Sequence, residues 1–176
     1  MGEKTIEEQT EQALISGYER FYRLAYSYVQ NREDALDVVQ ESACKAIRDC
    51  DRLKDPSKLP SWLCRIVVNT ALDTLRKRKL EFPSDSLPDR LHEDTYEETD
   101  LGAAIRALDD KSRTVIFLRY FEDMKFDDIA AVVDENINTV KARLYRSLRR
   151  LKVTMDPETA AAGQKTVIRK ENLHGR

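Results

Sequence analysis

Asn69, Asp73 and Arg76 are separated by four and three residues, so a helix would place all three side chains on one face. The amide of Asn69 can donate and accept hydrogen bonds, and the guanidinium of Arg76 can pair with an anion such as phosphate. Arg76 also opens a run of four consecutive bases, RKRK. These side chains could therefore bind a polar, negatively charged partner.

Each of these features also has an ordinary structural explanation. Asn69 could be buried, with its amide satisfying a neighbouring backbone group. Bases near a helix C-terminus complement the helix dipole, although four in a row exceed what the dipole requires. The residues alone therefore leave the role of Asn69 open.

The helix that carries this face has a separate apolar stripe. Leu63, Val67, Ala71 and Leu75 recur at four-residue intervals, which gives the helix a side to bury and leaves the polar face available. The stretch DRLKDPSKLPSW precedes it and contains two prolines, and we predict that Ser61 caps the first turn.

Composition limits the function classes. The 176 residues are 41% hydrophobic and 35% charged, a globular composition. No span of about 20 apolar residues and no signal peptide is apparent, so we expect a cytoplasmic protein. There is no glycine-rich phosphate loop and no histidine paired with a nucleophile, so we expect no enzyme activity, cofactor, metal or small-molecule substrate.

Cys44, Cys50 and Cys64 form no C-x-x-C pair and are expected to be reduced thiols, although a redox or metal role stays open.

The pattern predicts an all-α fold of two small helical domains joined by an acidic linker. Glycines and prolines are few, and no run of alternating β-branched residues is present. Residues 81–100 carry eight acids, one base and two prolines, which is typical of a flexible linker. The predicted units are therefore residues 1–80, the linker, residues 101–152, and a disordered tail at 153–176.

Helical periodicity divides the first unit into three helices. One is predicted to run from Leu14 through Tyr18 to Tyr28, a second from Ala35 to Cys50, and the third holds the polar face.

The second unit has the pattern of a helix-turn-helix domain. KFDDIAAVV and NTVKARLYRSLRRLK are separated by only DENI, a spacing suited to two helices that cross steeply. From Thr139 to Lys152 the last helix has six bases and no acid, and Val140, Leu144, Leu148 and Leu151 form its apolar seam. Such a basic outward face suits the negatively charged groove of duplex DNA.

Three stretches together resemble the extracytoplasmic-function (ECF) sigma factors, the promoter-recognising subunits of bacterial RNA polymerase. They are REDALDVVQES, SWLCRIVVNTALDTLRKRK and DDIAAVVDENINTVKARLYRSLRRL, in the order and spacing of the family. The resemblance covers about residues 15 to 152. It implies a polymerase-docking helix, a helix that opens and recognises the minus-ten element, and a helix-turn-helix that recognises the minus-thirty-five element.

The resemblance assigns the opening face to promoter melting. Asn69 matches the position that the family uses near the flipped non-template base, and Asp73 would orient Arg76 or Asn69. Phosphates of the displaced strand would be held by Arg76, Lys77, Arg78 and Lys79. The loop before this helix matches the family's variable specificity loop, which makes Lys54, Ser57 and Lys58 candidates for base contact.

The resemblance also assigns the other two surfaces. Asp34, Asp37, Gln40 and Glu41 share one acidic and polar face suited to a basic polymerase helix, although acids at a helix start are more often plain surface. In the recognition helix, Asn138 or Thr139 would cap the N-terminus and could contact a phosphate. The further candidates for minus-thirty-five DNA are Lys141, Ala142, Arg143, Tyr145, Arg146 and Arg149.

One departure from the family lies in the helix-turn-helix turn. Asp134 and Asn138 stand where many family members have glycine. Asp and Asn tolerate a left-handed backbone better than other residues, so we expect the turn to be kept.

The implied partners are core RNA polymerase, promoter DNA in duplex and single-stranded form, and a membrane-anchored anti-sigma factor. Two alternatives remain on the sequence alone. A conventional helix-turn-helix regulator would bind a palindromic duplex without polymerase. A first unit that serves only as a protein-interaction bundle would not bind single-stranded promoter DNA.

Overall fold

A computed structural model describes residues 4–81 and 100–155 of the chain, and every regular element in these two ranges is helical. The helices are α1 (Ile6–Ser16), α2 (Tyr18–Val29), α3 (Arg32–Asp49), α4 (Leu59–Glu81), α5 (Asp100–Arg106), α6 (Asp110–Tyr120), α7 (Phe126–Val133) and α8 (Ile137–Met155). Two short 3₁₀ turns, Cys50–Arg52 and Pro56–Lys58, join α3 to α4. The all-α prediction is confirmed. Glu81 and Asp100, the two ends of the predicted linker, lie in α4 and α5, and α8 extends through residues 153–155 of the predicted disordered tail. The rest of the predicted linker and tail lies outside the described residues.

The first predicted helix is wrong in one respect, because the chain breaks at Gly17. Leu14 ends up in α1 and Tyr18 opens α2. The backbone N–H of Gly17 donates to the carbonyl of Ala13 at 2.9 Å. A Cβ at this position would lie 2.8 Å from that oxygen and 2.8 Å from the ring of Phe21, so glycine permits the close approach of the two helices.

Helix α1 was missed, although the sequence carries its start signal. The Thr5 hydroxyl accepts a hydrogen bond from the Glu8 N–H at 3.1 Å, and the Glu8 carboxylate accepts one from the Thr5 N–H at 2.9 Å. This reciprocal pair is a capping box. Residues 4–81 therefore contain four α-helices.

Helices α2, α3 and α4 enclose the core of the first unit. Phe21, Leu24, Val38, Leu63 and Val67 are all fully buried or nearly so. The predicted apolar stripe of α4 is therefore the side that packs.

The predicted cap of α4 is wrong. Helix α4 already begins at Leu59, so Ser61 lies inside it, and the Ser61 hydroxyl donates to the carbonyl of Lys58 at 3.0 Å instead of accepting from a backbone N–H. The capping carboxylate in this region is that of Asp55, which accepts from the Ser57 N–H at 2.9 Å and begins the 3₁₀ turn.

The helix-turn-helix consists of α7, a three-residue turn and α8. Asp134 adopts φ 54° and ψ 51°, so the left-handed residue predicted there is confirmed. The cap and the left-handed backbone predicted for Asn138 are wrong, because α8 already begins at Ile137, and Asn138 and the alternative cap Thr139 both lie inside it. The cap is Asn136, whose side-chain oxygen accepts from the Thr139 N–H at 2.9 Å.

The two halves pack together through α4 and α7, and α2 also contacts α6. The guanidinium of Arg113, almost fully buried, donates to the carbonyl of Ser27 across this contact at 2.6 Å. It also donates to the carbonyls of Arg106 and Leu108.

None of the helices in the described ranges is long and apolar enough to cross a membrane.

Candidate nucleic-acid interface

Asn69 lies on the exposed side of α4, at a cleft between the two halves. The cleft has a volume of about 460 Å³, and Arg65, Leu72, Lys111 and Asp134 also line it. The alternative interpretation, in which Asn69 is buried and its amide hydrogen-bonds a backbone group, is therefore wrong, because the side chain is exposed. Its hydrogen-bonding groups are available to a ligand that enters from the cleft.

Two side chains of the polar face of α4 contact each other. The Asp73 carboxylate accepts a hydrogen bond from Arg76 at 2.9 Å, so the contact expected from their spacing is present. Arg76, Lys77 and Lys79 are exposed and form the basic end of the helix.

Arg78 points elsewhere, because its guanidinium forms an ion pair with the carboxylate of Asp34. This pair links the last turns of α4 to the first turn of α3. Two predicted surfaces, the basic end of α4 and the acidic face of α3, therefore meet. On α3, Asp37, Gln40 and Glu41 remain exposed.

The acid at the far end of that face has a partner on its own helix. Glu41 forms an ion pair with Lys45 at 2.8 Å. The hydrogen bond from Lys45 lowers the pKa of Glu41, so this carboxylate is ionised at neutral pH.

The loop before α4 faces the second half of the molecule. Lys54, Ser57 and Lys58 are exposed, as base-contacting residues would need to be. However, the ammonium of Lys58 donates to Asp128 of α7 at 2.9 Å, and Arg65 lies 4.0 Å from Asp134. Bases of the first unit thus face acids of the second.

A third contact between the two halves also places a base of the first unit opposite an acid of the second. Arg20 of α2 lies 3.3 Å from the carboxylate of Glu122, which follows α6. Burial raises the pKa of Glu122, and the charge of Arg20 partly offsets that effect. We did not predict Arg20, Arg65 or Arg113 as contact residues, and no local pattern marks them, because their partners are far away in sequence.

The recognition helix exposes most of the residues predicted to contact DNA. Lys141, Ala142, Tyr145, Arg146 and Arg149 are exposed, as is Asn138, whereas Thr139 is half-buried. The ammonium of Lys141 lies 5.5 Å from the ring centre of Phe126, within reach of a cation–π interaction. The outward face predicted for α8 is therefore present.

Arg143 differs from these residues. Its guanidinium donates to both carboxylate oxygens of Glu135, at 2.7 and 3.1 Å, and to Asp109 at 3.2 Å. It is thus occupied within the helix-turn-helix domain.

The described parts of the chain contain no candidate metal site, and two of their three thiols are buried. No group of three or more His, Cys, Asp or Glu side chains there could hold a metal ion. Cys50 and Cys64 are buried and Cys44 is exposed. Burial raises the pKa of Cys64 to about 12, which keeps it a protonated thiol.

Comparison with known protein families finds two matches in chain order. Residues 15–81 match the family described as Sigma-70 region 2, and residues 98–151 match the family described as Sigma-70, region 4. The first contains α2 to α4 and the second contains the helix-turn-helix.

Characterised relatives extend across both regions. RNA polymerase sigma factor SigV of Bacillus subtilis is 44% identical over 142 residues, which are 78% of this chain and 86% of SigV. The RNA polymerase sigma-E factor of Streptomyces antibioticus is 32% identical over 70% of this chain and 71% of its own. The ECF RNA polymerase sigma factor SigW of Bacillus subtilis is 28% identical over 76% of this chain and 82% of its own.

Solved structures have the same fold. The sigma factor RpoE, in complex with the anti-sigma factor NepR from Bartonella quintana, matches with a TM-score of 0.71 and 27% identity over 82% of this chain and 95% of RpoE. CnrH, solved with the cytosolic domain of CnrY, matches with a TM-score of 0.63 and 24% identity over 84% of this chain and 88% of its own.

Proposed function

The chain belongs to the ECF sigma factors, and from this premise we propose that it binds core RNA polymerase and directs it to specific promoters without catalysing a reaction itself. One observation carries the proposal. In the order of the family, a first unit presents an exposed asparagine and basic helix end, and a second presents an exposed basic recognition helix.

The first unit recognises and opens the minus-ten element. Asn69 hydrogen-bonds the edge of a non-template base, since its amide offers both a donor and an acceptor. Arg76, held by Asp73, binds the backbone of the displaced strand together with Lys77 and Lys79. Lys54, Ser57 and Lys58 of the preceding loop supply base contacts. The exposure of these residues supports the assignment.

The second unit binds the minus-thirty-five element in duplex form. The N-terminal part of α8 enters the major groove, where Lys141, Ala142, Tyr145 and Arg146 contact bases. Asn138, Thr139 and Arg149 contact phosphates. Arg143 is not included among these contacts, because its guanidinium is already hydrogen-bonded to Glu135 and Asp109.

Docking on polymerase uses the exposed part of the α3 face. Asp37 and Gln40 are available to a basic partner helix, and Glu41 would exchange its ion pair with Lys45 for a base of that helix. Asp34 supports the face through its ion pair with Arg78. Because the polymerase and the promoter are in the cytoplasm of a bacterium, the protein acts there.

A protein inhibitor of the anti-sigma class regulates the chain. Support comes from RpoE, whose structure contains the anti-sigma factor NepR and matches this fold over most of the chain. We further propose that the inhibitor is membrane-anchored, as is common in the family.

The contacts between the two halves imply a rearrangement before promoter binding. Lys58 cannot contact a base while it is paired with Asp128, and Asn69 faces a cleft bounded by the second unit. The two units therefore separate on polymerase, and the segment 82–99 joins them while they occupy different promoter elements.

Reconstitution with core polymerase separates this function from that of a conventional regulator. The purified chain is mixed with core enzyme lacking any sigma subunit and passed over a gel-filtration column, and promoter binding is measured with and without core. A sigma factor co-elutes with core and gains selective promoter binding from it. Tight, selective binding to a palindromic duplex by the chain alone, without co-elution, would assign it to the regulators instead.

A further inference from the structure

Arg143 lies on the recognition helix, yet its side chain turns back toward the domain. Only 20% of it is exposed, and the facing Glu135 side chain is 14% exposed. Nε and Nη2 of Arg143 donate to the two oxygens of Glu135 at 3.1 and 2.7 Å. This is a bidentate, charge-assisted pair, the geometry in which arginine fixes direction as well as distance.

The remaining nitrogen of Arg143 reaches the start of α6. Nη1 donates to the Asp109 carboxylate at 3.2 and 3.3 Å and lies 3.3 Å from the hydroxyl of Ser112. Asp109 also caps α6, because it accepts from the Ser112 N–H at 2.8 Å. One guanidinium therefore joins α8, the turn that precedes it, and the N-terminus of α6.

The charge of this cluster is balanced within the domain. Lys111 also donates to Glu135, at 3.1 Å, so two bases face the acids Glu135 and Asp109. The hydrogen bond from Arg143 lowers the pKa of Glu135, and the hydrogen bond to Glu135 raises the pKa of Arg143. A guanidinium with both charge and donors satisfied gains little from a DNA phosphate.

We propose that Arg143 is a positioning residue for promoter recognition, an inference that rests on the proposed function. Through Glu135 and Asp109 it sets the angle at which α8 enters the groove, so that its exposed neighbours reach the bases. It contacts neither a base, as Arg146 does, nor a phosphate, as Arg149 does.

The sharpest test is Glu135→Gln, because the two roles of Arg143 predict opposite signs. If Arg143 contacted phosphate, removing a nearby carboxylate would free it and raise DNA affinity. If Arg143 positions α8, the loss of the bidentate pair lowers selective affinity by about tenfold, equivalent to one lost base contact. Asp134→Asn is the control, since it removes a neighbouring acid, keeps a residue that tolerates the left-handed backbone, and leaves the pair with Arg143 intact. Because Asp134 also lies 4.0 Å from Arg65 of the first unit, both variants are compared as holoenzymes, in which the two units are proposed to be apart.

Salt dependence supplies a second measurement. The holoenzyme is titrated with promoter duplex, and with a duplex whose upstream element is scrambled, over a range of salt. Each lost phosphate contact reduces the slope of log affinity against log salt by about 0.9. We expect Arg143→Gln and Arg143→Lys to lose selectivity with the slope unchanged, because lysine keeps the charge but lacks the planar fork. A slope reduced by Arg143→Gln and restored by Arg143→Lys would overturn the proposal.

The test also distinguishes failure of this inference from failure of the proposed function. If the unsubstituted holoenzyme shows no selective binding, the proposed function fails. Urea unfolding of Arg143→Gln, Glu135→Gln and the double variant then still measures the coupling. Non-additive losses of stability support the positioning cluster, and additive losses contradict it.

Discussion

The ion pair between Asp34 and Arg78 ties the first turn of α3 to the last turns of α4. Asp34 lies on the face proposed for polymerase, and Arg78 belongs to the basic end proposed for single-stranded DNA. Both side chains are mostly shielded, with 19% and 24% exposed. The pair therefore connects the two proposed surfaces directly.

Breaking this pair should destabilise the first unit. We expect Asp34→Asn and Arg78→Gln to show a coupling free energy of about 1 kcal/mol in a double-mutant cycle followed by urea unfolding. Asp37→Asn, on the exposed part of the same face, is the control and should have little effect on stability. A coupling indistinguishable from zero would mean that the contact does not fasten the two helices.

Asn69→Ala should spare the first encounter with the promoter and slow strand opening. The side chain is exposed and carries none of the core packing, so the variant should fold normally. Duplex binding by the holoenzyme should be unchanged, while permanganate reactivity of thymines around the start site should appear more slowly. Unchanged permanganate kinetics would remove the assigned role of Asn69.

Arg146→Ala should weaken binding to the upstream element and relax its sequence selectivity. Arg146 is exposed at the middle of α8, and a bidentate contact to guanine contributes about 1 to 3 kcal/mol of discrimination. Arg150→Ala is a matched control further along the helix, where loss of a base should lower affinity equally for all sequences. Competition binding with a panel of upstream elements measures the difference. Equal selectivity in the two variants would contradict the placement of Arg146 at a base.

The contacts between the halves should respond to charge reversal. Lys58→Glu places an acid opposite Asp128 and should lengthen the distance between fluorophores on the two units of the free protein. Adding Asp128→Lys should restore the shorter distance. Because Lys58 is exposed and Asp128 is partly exposed, added salt should also lengthen the distance. A distance insensitive to both charge reversal and salt would show that apolar packing of α4 against α7 alone holds the halves together.

The stabilising effect of Glu135 should depend on pH in the acid range. Its pKa is lowered in the folded protein, chiefly by the hydrogen bond from Arg143, so folding is favoured when the carboxylate is ionised. The stability difference between the unsubstituted protein and Glu135→Gln should be constant above the ordinary glutamate pKa of about 4.3. It should shrink as the pH falls through the lowered value. Urea titrations at a series of pH values measure this, and a difference that grew on acidification would have the wrong sign.

Much of the fold follows from local pattern. The apolar stripe of α4, the seam of α8 and the left-handed Asp134 depend on periodicity and backbone preference, which neighbouring residues reveal. The break at Gly17 and the true caps Asp55 and Asn136 were harder to predict, because several residues near each helix end could serve. Asn136 lies two residues before the predicted cap Asn138, and Asp55, which caps the 3₁₀ turn, lies six residues before Ser61.

The exposure of the candidate residues could be predicted from the sequence. Their contacts with residues distant in sequence could not. The outward side chains of α8 were correctly predicted from helical spacing. The same spacing could not reveal that Arg143 turns inward, since Glu135 and Asp109 reach it through the tertiary fold. Nor could it reveal Arg113, whose polar partner Ser27 lies in the other half of the molecule.

The central claim is that the chain directs RNA polymerase to promoters, and mapping of transcript starts tests it most directly. Core polymerase lacking sigma subunits is supplied with the purified protein and a library of genomic fragments, and the 5′ ends of the transcripts are sequenced. The account predicts discrete starts that share two upstream elements, with Asn69→Ala reducing transcription from all of them. Starts that are absent, or that occur equally without the protein, would contradict it.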